Sequence, residues 1–463
     1  MNPSDQFQAI VIGAGQGGNP LCRALAQAGL RTALIERKHV GGTCVNEGCT
    51  PTKTMVASAR VAYLSRRGAD YGVQTGNIQV DMARVRNRKR DIVDSFRAGS
   101  EGRFKNLENF ELIFGEASFT GAKSVRVRLK DGGQRELTAD KIFIDAGTRP
   151  AVPSVDGLKD ISFLDSTSIM ELDSVPEHLI VLGGGYVGLE FGQMFRRFGS
   201  RVTMVQSRPQ LLNGEDADVA AAVTEILRQD GVEVVLNAMA TAVAKAGAQV
   251  RVTVRIGEES RLLEGSHLLV ATGRTPNTDS LNLAAAGVAT DKRGYILVNS
   301  ELETNVAGIY ALGDINGGPA FTHISYDDFR ILSTNLIEKG NASTEGRLVP
   351  YVLYTDPQLG RVGLTEEQAR ARNKKVRVAK MPMSSVARAR ETDETRGFMK
   401  VVVDAESEQI LGAAVLGVEG GEIMSMIELA MIGKLTCGVL HNAVIAHPTF
   451  AESLNNLFLH FDS

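Results

Sequence analysis

Runs of apolar residues, each interrupted by a glycine-rich turn, occur in the same order in two stretches of the chain. In each stretch the apolar positions predict a buried strand, then an amphipathic helix, then a second buried strand. The predicted elements are the strand Phe7–Ile12, a helix to about Ala28 and the strand Arg31–Glu36, and then the strand His178–Leu182, a helix to about Phe198 and the strand Arg201–Gln206. This order is that of a βαβ unit, which builds parallel sheet.

Both turns have the glycine spacing G-x-G-x-x-G in the structural context that a dinucleotide-binding turn requires. The first glycine allows a tight turn, the second lets the backbone approach a pyrophosphate, and the third lets the helix pack close to the strand. The glycines are Gly13, Gly15 and Gly18 in the first unit and Gly183, Gly185 and Gly188 in the second. Two such units predict two Rossmann-like nucleotide-binding domains.

The pattern changes towards the carboxyl end. The segments Lys141–Pro150 and His267–Asn277 are apolar strands ending in small-residue turns, which is typical of points where a chain crosses between two nucleotide-binding domains. After Asn341, residues 349–355 and 397–416 have the β-branched character of strands, and helices are predicted from Glu422 and near Glu452. We therefore predict an α/β fold with two Rossmann-like domains and a separate C-terminal α+β domain.

Composition narrows the class of protein. A net charge of -3 gives no sign of a nucleic-acid partner, and no apolar run approaches the roughly 18 residues that a membrane span needs. The basic run Arg84–Arg90 has the spacing of a solvated helix face. The amino terminus passes from polar residues directly into a strand, so the expected location is the cytoplasm. Of the four cysteines, Cys22 and Cys437 are isolated on apolar helical faces, where packing explains them.

The two nucleotide sites differ at the position that contacts the ribose. Glu36 lies at the end of the second strand of the first unit, where a carboxylate accepts hydrogen bonds from an adenosine ribose. The corresponding residue of the second unit is Gln206, which has no charge to repel a 2′-phosphate, and Arg208 follows it. The first site suits FAD or NAD, and the second favours NADP over NAD.

The other two cysteines, Cys44 and Cys49, lie close together directly after the first βαβ unit. Residues five apart in a regular helix have Cα atoms roughly 8.6 Å apart, and a disulfide needs less than about 7 Å. The segment must therefore depart from a regular helix if the two bond, as Gly48 permits. Pro51 suits the first turn of the following helix, and a thiolate there would be stabilised by the helix dipole and by Lys53.

Two nucleotide sites beside a cysteine pair imply a route for electrons. A nicotinamide delivers hydride, which a disulfide accepts poorly, whereas a flavin takes the hydride and passes the electrons to sulfur. The predicted order is NAD(P)H, then FAD, then the cysteine pair. A dithiol–disulfide exchange must also move protons, and histidine is the side chain suited to that work near neutral pH.

Four segments carry a family resemblance: Gly41–Cys49 (GGTCVNEGC), Gly183–Glu190 (GGGYVGLE), Tyr310–Asp314 (YALGD) and His447–Glu452 (HPTFAE). The chain resembles the class I pyridine nucleotide-disulfide oxidoreductases, the family of dihydrolipoamide dehydrogenase, glutathione reductase and mercuric reductase, from about residue 6 to 460. The resemblance implies an obligate homodimer with composite active sites, and it makes the C-terminal α+β domain a dimerisation domain. The implied division is 1–150 for the first part of the FAD domain, 151–268 for the NAD(P) domain, 269–345 for the second part of the FAD domain and 346–463 for the dimerisation domain.

The resemblance also implies roles for individual residues. Cys44 would be the thiol that meets substrate and Cys49 the charge-transfer thiol beside the flavin. His447 would be the acid–base residue, oriented by Glu452 and serving the cysteine pair of the other subunit. Lys53 would lie near the flavin and pair with Glu190, and Tyr186 would gate the nicotinamide pocket. Asp314 would bind the phosphoribityl region of FAD. Further cofactor contacts are implied at Gly42, Thr43, Ala117, Gly147, Gly273 and Arg274. No metal ligands are predicted.

The terminal electron acceptor stays open at this point. The amino-terminal half is closest to mercuric reductase, but the chain does not end in the vicinal cysteines with which those enzymes hand over the metal, and His447 stands where they have a tyrosine-containing segment. The segment Glu452–Phe458 instead resembles the bacterial flavin reductases of reactive-chlorine and hypothiocyanite defence. The leading hypothesis is an NADPH-dependent reductase of a small-molecule disulfide or other sulfur-linked oxidant. The alternatives are a metal-ion reductase and a redox sensor that holds FAD without turnover.

Overall fold

The computed structural model describes residues 5–462, so residues 1–4 of the predicted polar amino terminus and residue 463 lie outside the description. The chain divides into two compact units. Unit 1 takes the residues up to Thr54, Arg86–Ala151 and Gly273–Arg347, and unit 2 takes Met55–Val85, Val152–Thr272 and the residues from Leu348 onward. The finer division into four domains stays a prediction.

The first ten helices and strands in chain order occupy the residues up to 151. They are β1 (Gln6–Ile12), α1 (Gly18–Gln27), β2 (Thr32–Glu36), α2 (Gly42–Asn46), α3 (Cys49–Arg66), α4 (Met82–Gly102), β3 (Phe110–Gly121), β4 (Ser124–Leu129), β5 (Gln134–Ile144) and β6 (Thr148–Pro150). Residues 152–272 form β7 (His178–Leu182), α5 (Tyr186–Phe198), β8 (Arg201–Val205), α6 (Ala217–Gln229), β9 (Glu233–Val235), β10 (Ala238–Ala246), β11 (Gln249–Ile256), β12 (Glu259–Gly265) and β13 (His267–Val270).

The remaining elements belong to residues 273–462. They are β14 (Arg274–Pro276), α7 (Leu283–Ala286), β15 (Ile309–Ala311), α8 (Thr322–Leu336), β16 (Tyr351–Leu353), β17 (Gln358–Gly363), α9 (Glu366–Ala371), β18 (Val376–Pro382), α10 (Ala387–Glu391), β19 (Phe398–Asp404), β20 (Ile410–Gly417), α11 (Gly420–Ile432), α12 (Cys437–Asn442) and α13 (Ser453–Leu457). The predicted strand 397–416 is thus two strands, because a turn at 405–409 separates β19 from β20.

Unit 1 is built on a mainly parallel sheet. Strand β1 pairs in parallel with β2 and β5, β2 pairs with β3, and β5 pairs with β15, while β4 joins β3 and β5 as an antiparallel hairpin strand. In this register Val11 lies opposite Leu34 and Phe143, and all three side chains are fully buried. A central parallel strand is covered on both faces, which explains its continuous apolar run.

Unit 2 contains a second parallel sheet and two antiparallel ones. The parallel sheet has the order β13-β7-β8-β9. Its strands β7 and β8, with the helix α5 between them in sequence, are the βαβ unit predicted around the second glycine turn. Strands β10, β11 and β12 form a three-stranded antiparallel sheet, and β16-β17-β20-β19-β18 form a five-stranded one against which α11 packs. The α/β class and the α+β character after Asn341 are therefore confirmed.

One expectation about a helix surface needs correction. The basic run Arg84–Arg90 lies in α4 as predicted, but Lys89 is buried at 4% exposure rather than solvated. Lys89 lies one turn from Val85 and one turn from Val93, so it belongs to the apolar stripe of the helix. Charge alone did not indicate which face of α4 is buried. The two cysteines assigned to packing, Cys22 and Cys437, are buried as expected.

Candidate active site: two dinucleotide turns, a cysteine pair and a histidine–glutamate pair

The first glycine turn needs each of its three glycines. A Cβ on Gly13 would lie 2.3 Å from the backbone oxygen of Asp145, and Gly13 has a φ of +105°, which side chains rarely adopt. A Cβ on Gly15 would lie 2.6 Å from the Asp145 carboxylate, and one on Gly18 would lie 2.3 Å from the Gly13 oxygen. No side chain therefore projects from the turn at the start of α1. A pyrophosphate needs this arrangement to come close to the backbone there.

Two carboxylates flank this turn. Glu36 at the end of β2 is buried, and its Oε2 accepts from the amide of Ala14 at 3.0 Å while its Oε1 accepts from the amide of Lys38 at 2.7 Å. Each oxygen has a second lone pair, so the carboxylate can still accept from a ribose. Asp145, which follows β5, accepts from the Gly18 amide at 2.7 Å, and burial raises the pKa of Asp145 well above its usual value. Sequence reasoning missed Asp145.

The segment Gly41–Cys49, called the cysteine loop, packs directly on the first glycine turn. The Gly41 amide donates to the Ala14 oxygen at 2.9 Å, and a Cβ on Gly42 would lie 2.7 Å from the Cα of Gly15. Helix α2 ends at Asn46, and α3 begins at Cys49, so the predicted departure from a regular helix is confirmed. Since the loop and the turn are in backbone contact, a dinucleotide bound at the turn would lie beside the cysteines.

The two cysteines are in contact as thiols. Cys44 is half-buried on α2, and Cys49 is exposed as the first residue of α3. A hydrogen bond with Cys49, together with burial, raises the pKa of Cys44, whereas Thr322 and the positive charge of Lys53 act in the opposite direction. The raised pKa means that Cys44 holds its proton more firmly than an exposed thiol does.

Thr322 contacts the cysteine pair from a distant part of the sequence. Its Oγ1 lies 3.4 Å from the Sγ of Cys49, and it is the first residue of α8. The two residues are 273 positions apart, and no motif in the sequence indicated this contact. Thr322 therefore joins the predicted site residues of unit 1.

A third group of predicted cofactor residues surrounds the paired strands β6 and β14. The Oγ1 of Thr148 donates to Asp314 at 3.0 Å and accepts from the Nε of Arg274 at 2.6 Å. Gly147 and Gly273 both have positive φ, at 63° and 131°, and a Cβ on either would meet no atom within 4 Å. The structure thus brings Asp314 and Arg274 together through Thr148. Ala117 is buried in β3, and Thr43 is exposed in α2.

These residues of unit 1 fit FAD. The side-chain-free turn at the start of α1 suits the pyrophosphate, Glu36 suits the ribose and the Cys44–Cys49 loop adjoins the turn. The residues that would hold the cofactor are those of the glycine turn together with Glu36, Gly42 and Asp314. Bound there, a flavin supplies hydride acceptance and electron transfer to sulfur.

The second glycine turn repeats the first with one difference. A Cβ on Gly183 would lie 2.3 Å from the Ala271 oxygen, and one on Gly188 would lie 2.2 Å from the Gly183 oxygen, so both positions need glycine. A Cβ on Gly185 would meet nothing within 4 Å, so packing within the protein does not explain this glycine. The predicted close approach of a ligand pyrophosphate at the start of α5 would account for it.

The predicted nucleotide residues of unit 2 lie around this turn. Gln206 is buried and follows β8, and its Nε2 donates to the Gln210 oxygen at 3.2 Å. Arg208 is exposed, and Tyr186 is 36% exposed at the first position of α5. Glu190 is buried and accepts from the Tyr354 amide at 2.9 Å. The pairing of Glu190 with Lys53 stays a prediction.

The histidine and glutamate near the carboxyl end form the predicted pair. The Nδ1 of His447 lies 2.8 Å from Oε2 and 3.0 Å from Oε1 of Glu452. The His447 side chain is 65% exposed, and its Nε2 points away from the carboxylate. A carboxylate on Nδ1 fixes the ring orientation and leaves Nε2 as the atom that exchanges a proton. Within residues 5–462, no three His, Cys, Asp or Glu side chains are placed to hold a metal ion.

Comparison with known proteins places this site in a family. The model of the pyridine nucleotide-disulphide oxidoreductases matches residues 7–328, and that of their dimerisation domain matches residues 349–458. The probable pyridine nucleotide-disulfide oxidoreductase RclA of Escherichia coli is 38% identical over 98% of this chain and 99% of its own length. A mercuric reductase of Lysinibacillus sphaericus is 35% identical over 99% of this chain and 83% of its own length. A dihydrolipoyl dehydrogenase of Geobacillus stearothermophilus is 32% identical over 96% of this chain and 94% of its own length.

Solved structures agree with this placement. A Cu(II) complex of the HOCl-induced flavoprotein disulfide reductase RclA from Escherichia coli has a TM-score of 0.90 and 37% identity, covering 99% of both chains. The match to the dimerisation domain fits the predicted homodimer. No helix among the described residues has the length and apolar character that crossing a membrane requires. The predicted family is confirmed: the chain belongs to the pyridine nucleotide-disulfide oxidoreductases, enzymes that use FAD and a pyridine nucleotide.

Proposed function

We propose that the protein is an NADPH-dependent reductase of a disulfide or other sulfur-linked oxidant, with Cys44 and Cys49 as its redox pair. The observation that carries the proposal is the contact between the two thiols on a loop that packs against the first dinucleotide turn. The His447–Glu452 pair supports it, because a metal-ion or one-electron acceptor needs no acid–base residue. In the proposed homodimer, His447 of one subunit serves the cysteine pair of the other.

The residues divide the exchange reaction between them. Cys44, deprotonated by His447, attacks one sulfur of the substrate disulfide, and the other substrate sulfur leaves as a thiolate that takes up a proton from the His447 ring. The Cys49 thiolate then attacks the sulfur of Cys44, which forms the Cys44–Cys49 disulfide and releases the second substrate sulfur as a thiolate that takes up a proton from solvent. The substrate gains the two electrons of the cysteine pair, one proton from Cys44 by way of His447 and one proton from solvent. Glu452 holds the imidazole in the required orientation.

The preference for NADPH belongs to this proposal. Gln206 has no charge to oppose a 2′-phosphate, and the exposed guanidinium of Arg208 follows it on the same loop. NAD is the alternative nucleotide. The expected cytoplasmic location also stays a proposal.

A steady-state screen tests the function. Oxidation of NADPH by the purified FAD-loaded protein is measured with lipoamide, oxidised glutathione, hypothiocyanite, Hg(II) and Cu(II), and the Cys44→Ser variant is the control. We expect a sulfur-linked oxidant to give the highest kcat/KM and Cys44→Ser to abolish that activity. Equal activity in Cys44→Ser, or turnover with metal ions alone, would contradict the proposal.

Absorbance spectra test the assignment of the two thiols. Because the pKa of Cys44 is raised, we expect Cys49 to carry the negative charge in the reduced pair. Cys44→Ser should then show a long-wavelength thiolate-to-flavin band at neutral pH, and Cys49→Ser should lack it. Matching spectra in the two variants would mean that the roles are misassigned.

A metal-ion reductase is the second candidate. Two sulfur atoms in contact are soft ligands suited to Hg(II) and copper, several similar proteins are mercuric reductases, and the RclA structure is a Cu(II) complex. This candidate predicts that His447→Ala keeps wild-type turnover with the metal ion. The same screen, repeated with that variant, distinguishes the two candidates.

A further inference from the structure

Two tyrosine rings meet beside the second glycine turn. Tyr186 begins α5 directly after Gly185, and Tyr351 begins β16. Their ring centroids lie 5.4 Å apart with an interplanar angle of 61°, an edge-to-face contact, and their hydroxyl groups share a hydrogen bond. The Tyr186 ring is therefore held both by ring packing and by its hydroxyl.

A buried carboxylate accepts the proton of Tyr351. Glu215 is 4% exposed, and its Oε1 accepts from the hydroxyl of Tyr351. A tyrosine hydroxyl has one proton, and Tyr351 gives that proton to Glu215, so Tyr186 is the donor in the bond between the two tyrosines. Burial and the adjacent carboxylate raise the pKa of Tyr351, which therefore keeps its proton at neutral pH. The hydrogen bonds run in one direction, from Tyr186 to Tyr351 to Glu215.

A buried arginine anchors the carboxylate. The Nε of Arg361 lies 3.2 Å from Oε2 of Glu215, and both side chains are almost completely buried. Arg361 Nη1 also donates to the backbone oxygens of Val362 at 3.0 Å and Ala413 at 2.8 Å, which belong to the paired strands β17 and β20. The guanidinium is thus fixed to the sheet, and it holds Glu215 in place. Removing one partner from such a network by substitution leaves a buried polar group without its hydrogen bond.

The loop that carries Glu215 also contacts the glycine turn. The Leu212 amide donates to the Gly184 oxygen at 3.0 Å, the Glu215 amide donates to the Leu212 oxygen at 2.9 Å and the Gln210 side chain donates to the Glu215 oxygen at 3.1 Å. The carboxylate and the dinucleotide turn are therefore parts of one hydrogen-bonded structure. Nothing in the sequence indicated this arrangement, since Tyr351 and Glu215 are 136 positions apart.

We propose that Glu215, Tyr351 and Arg361 are positioning residues that restrain the Tyr186 ring in its observed place, and so oppose entry of the nicotinamide ring. The inference rests on the proposed function and on the role that the family resemblance implies for Tyr186, that of a gate over the nicotinamide pocket. A gating ring must move aside for the nicotinamide, and the movement breaks the hydrogen bond between the two hydroxyls. The apparent affinity for the nucleotide is the intrinsic affinity multiplied by the fraction of molecules in which the ring is open, so a bond that holds the ring closed lowers it.

The Tyr351→Phe variant tests this restraint, because it removes one hydroxyl and keeps the ring. Binding of NADP⁺ and of 2′-phospho-ADP-ribose, which lacks the nicotinamide, is measured by calorimetry on the FAD-loaded protein, with NAD⁺ and ADP-ribose in parallel. We expect the variant to bind the whole nucleotide about threefold to tenfold more tightly, the usual worth of one hydrogen bond between neutral groups. The fragment should bind as it does to wild type, since it does not pass Tyr186.

Two further variants make the test specific. Tyr186→Phe should tighten whole-nucleotide binding to the same extent, and the double variant should add nothing, because both changes remove the same bond. Tyr71→Phe is the matched control, since the Tyr71 hydroxyl donates to the Thr392 oxygen at 2.7 Å in a different network, and it should leave both affinities unchanged.

The outcomes separate this inference from the proposed function. Unchanged or weaker whole-nucleotide binding by Tyr351→Phe, or an equal change for nucleotide and fragment, overturns the restraint while the proposed function stands. Failure of the wild-type protein to bind either nicotinamide nucleotide overturns the proposed function, and the inference with it.

Discussion

Substituting Gly42 by alanine perturbs the contact that joins the cysteine loop to the first dinucleotide turn. Gly42 has a φ of +61°, and an added Cβ would lie 2.7 Å from the Cα of Gly15. The atom it meets is backbone, so no flexible side chain can move aside. Ordinary contacts of this kind begin near 3.4 Å, so the loop and the turn must separate by about 0.7 Å.

The expected loss of stability has two parts. A non-glycine residue in the left-handed region costs about 1–2 kcal/mol, and forcing an extra carbon into a packed site costs about 1–3 kcal/mol. Gly76 offers a matched control, because its φ is +69° and a Cβ there would meet no atom within 4 Å. Gly76→Ala should therefore show only the first part, and Gly42→Ala should lose about 2–5 kcal/mol in total.

Urea unfolding of the FAD-loaded variants, with FAD content measured after gel filtration, checks this expectation. Gly42→Ala should unfold at lower urea than Gly76→Ala and should retain less FAD, because the separation of loop and turn opens the cofactor site. Equal unfolding midpoints together with full FAD content in both variants would refute the packing argument. The left-handed backbone alone would then account for Gly42.

Three other predictions concern the chemistry of the site. His447→Ala should slow the oxidative half-reaction about 10²–10⁴-fold and leave flavin reduction by NADPH unchanged in stopped-flow traces, whereas an unaltered oxidative rate would exclude a proton-transfer role. Burial raises the pKa of Asp145 in the folded state, so its contribution to stability is present at low pH and is lost as the pH rises through that pKa. Asp145→Asn keeps an acceptor for Gly18, so its stability relative to wild type should increase from pH 5 to pH 8 in urea unfolding, and a difference that does not depend on pH would contradict this. Gln206→Glu should move the ratio of kcat/KM values towards NADH by about tenfold, or 1.4 kcal/mol, and an unmoved ratio would count against the ribose assignment.

Much of the nucleotide-binding architecture could be predicted because it is local. A strand, a glycine turn and a helix occupy about 20 consecutive residues, so the periodicity and the glycine spacing locate both turns and place Glu36 at the end of β2. The break between α2 and α3 could likewise be predicted, because a disulfide between Cys44 and Cys49 would not fit a regular helix. The His447–Glu452 contact could also be predicted, because it joins residues only five positions apart.

The contacts that join distant parts of the chain could not be predicted in this way. Asp145 accepts from an amide 127 positions away, and Thr322 contacts Cys49 across 273 positions. Such pairs depend on which strands become neighbours and on the direction in which each strand end points, and the apolar pattern of a strand is the same whichever partner it takes. Lys89 illustrates the same limit on a helix, since only packing decides which face is buried.

The sequence by itself therefore determined the family, the two dinucleotide turns and the position of the Cys44–Cys49 pair after the first βαβ unit, because each depends on residues close together in the chain. Only the tertiary structure decided what surrounds them: Thr322 beside Cys49, Asp145 beneath the first turn, and the hydrogen-bonded series from Tyr186 through Tyr351 and Glu215. Buried polar groups must find partners wherever the fold brings them, and those partners come from strands and loops that no local pattern connects.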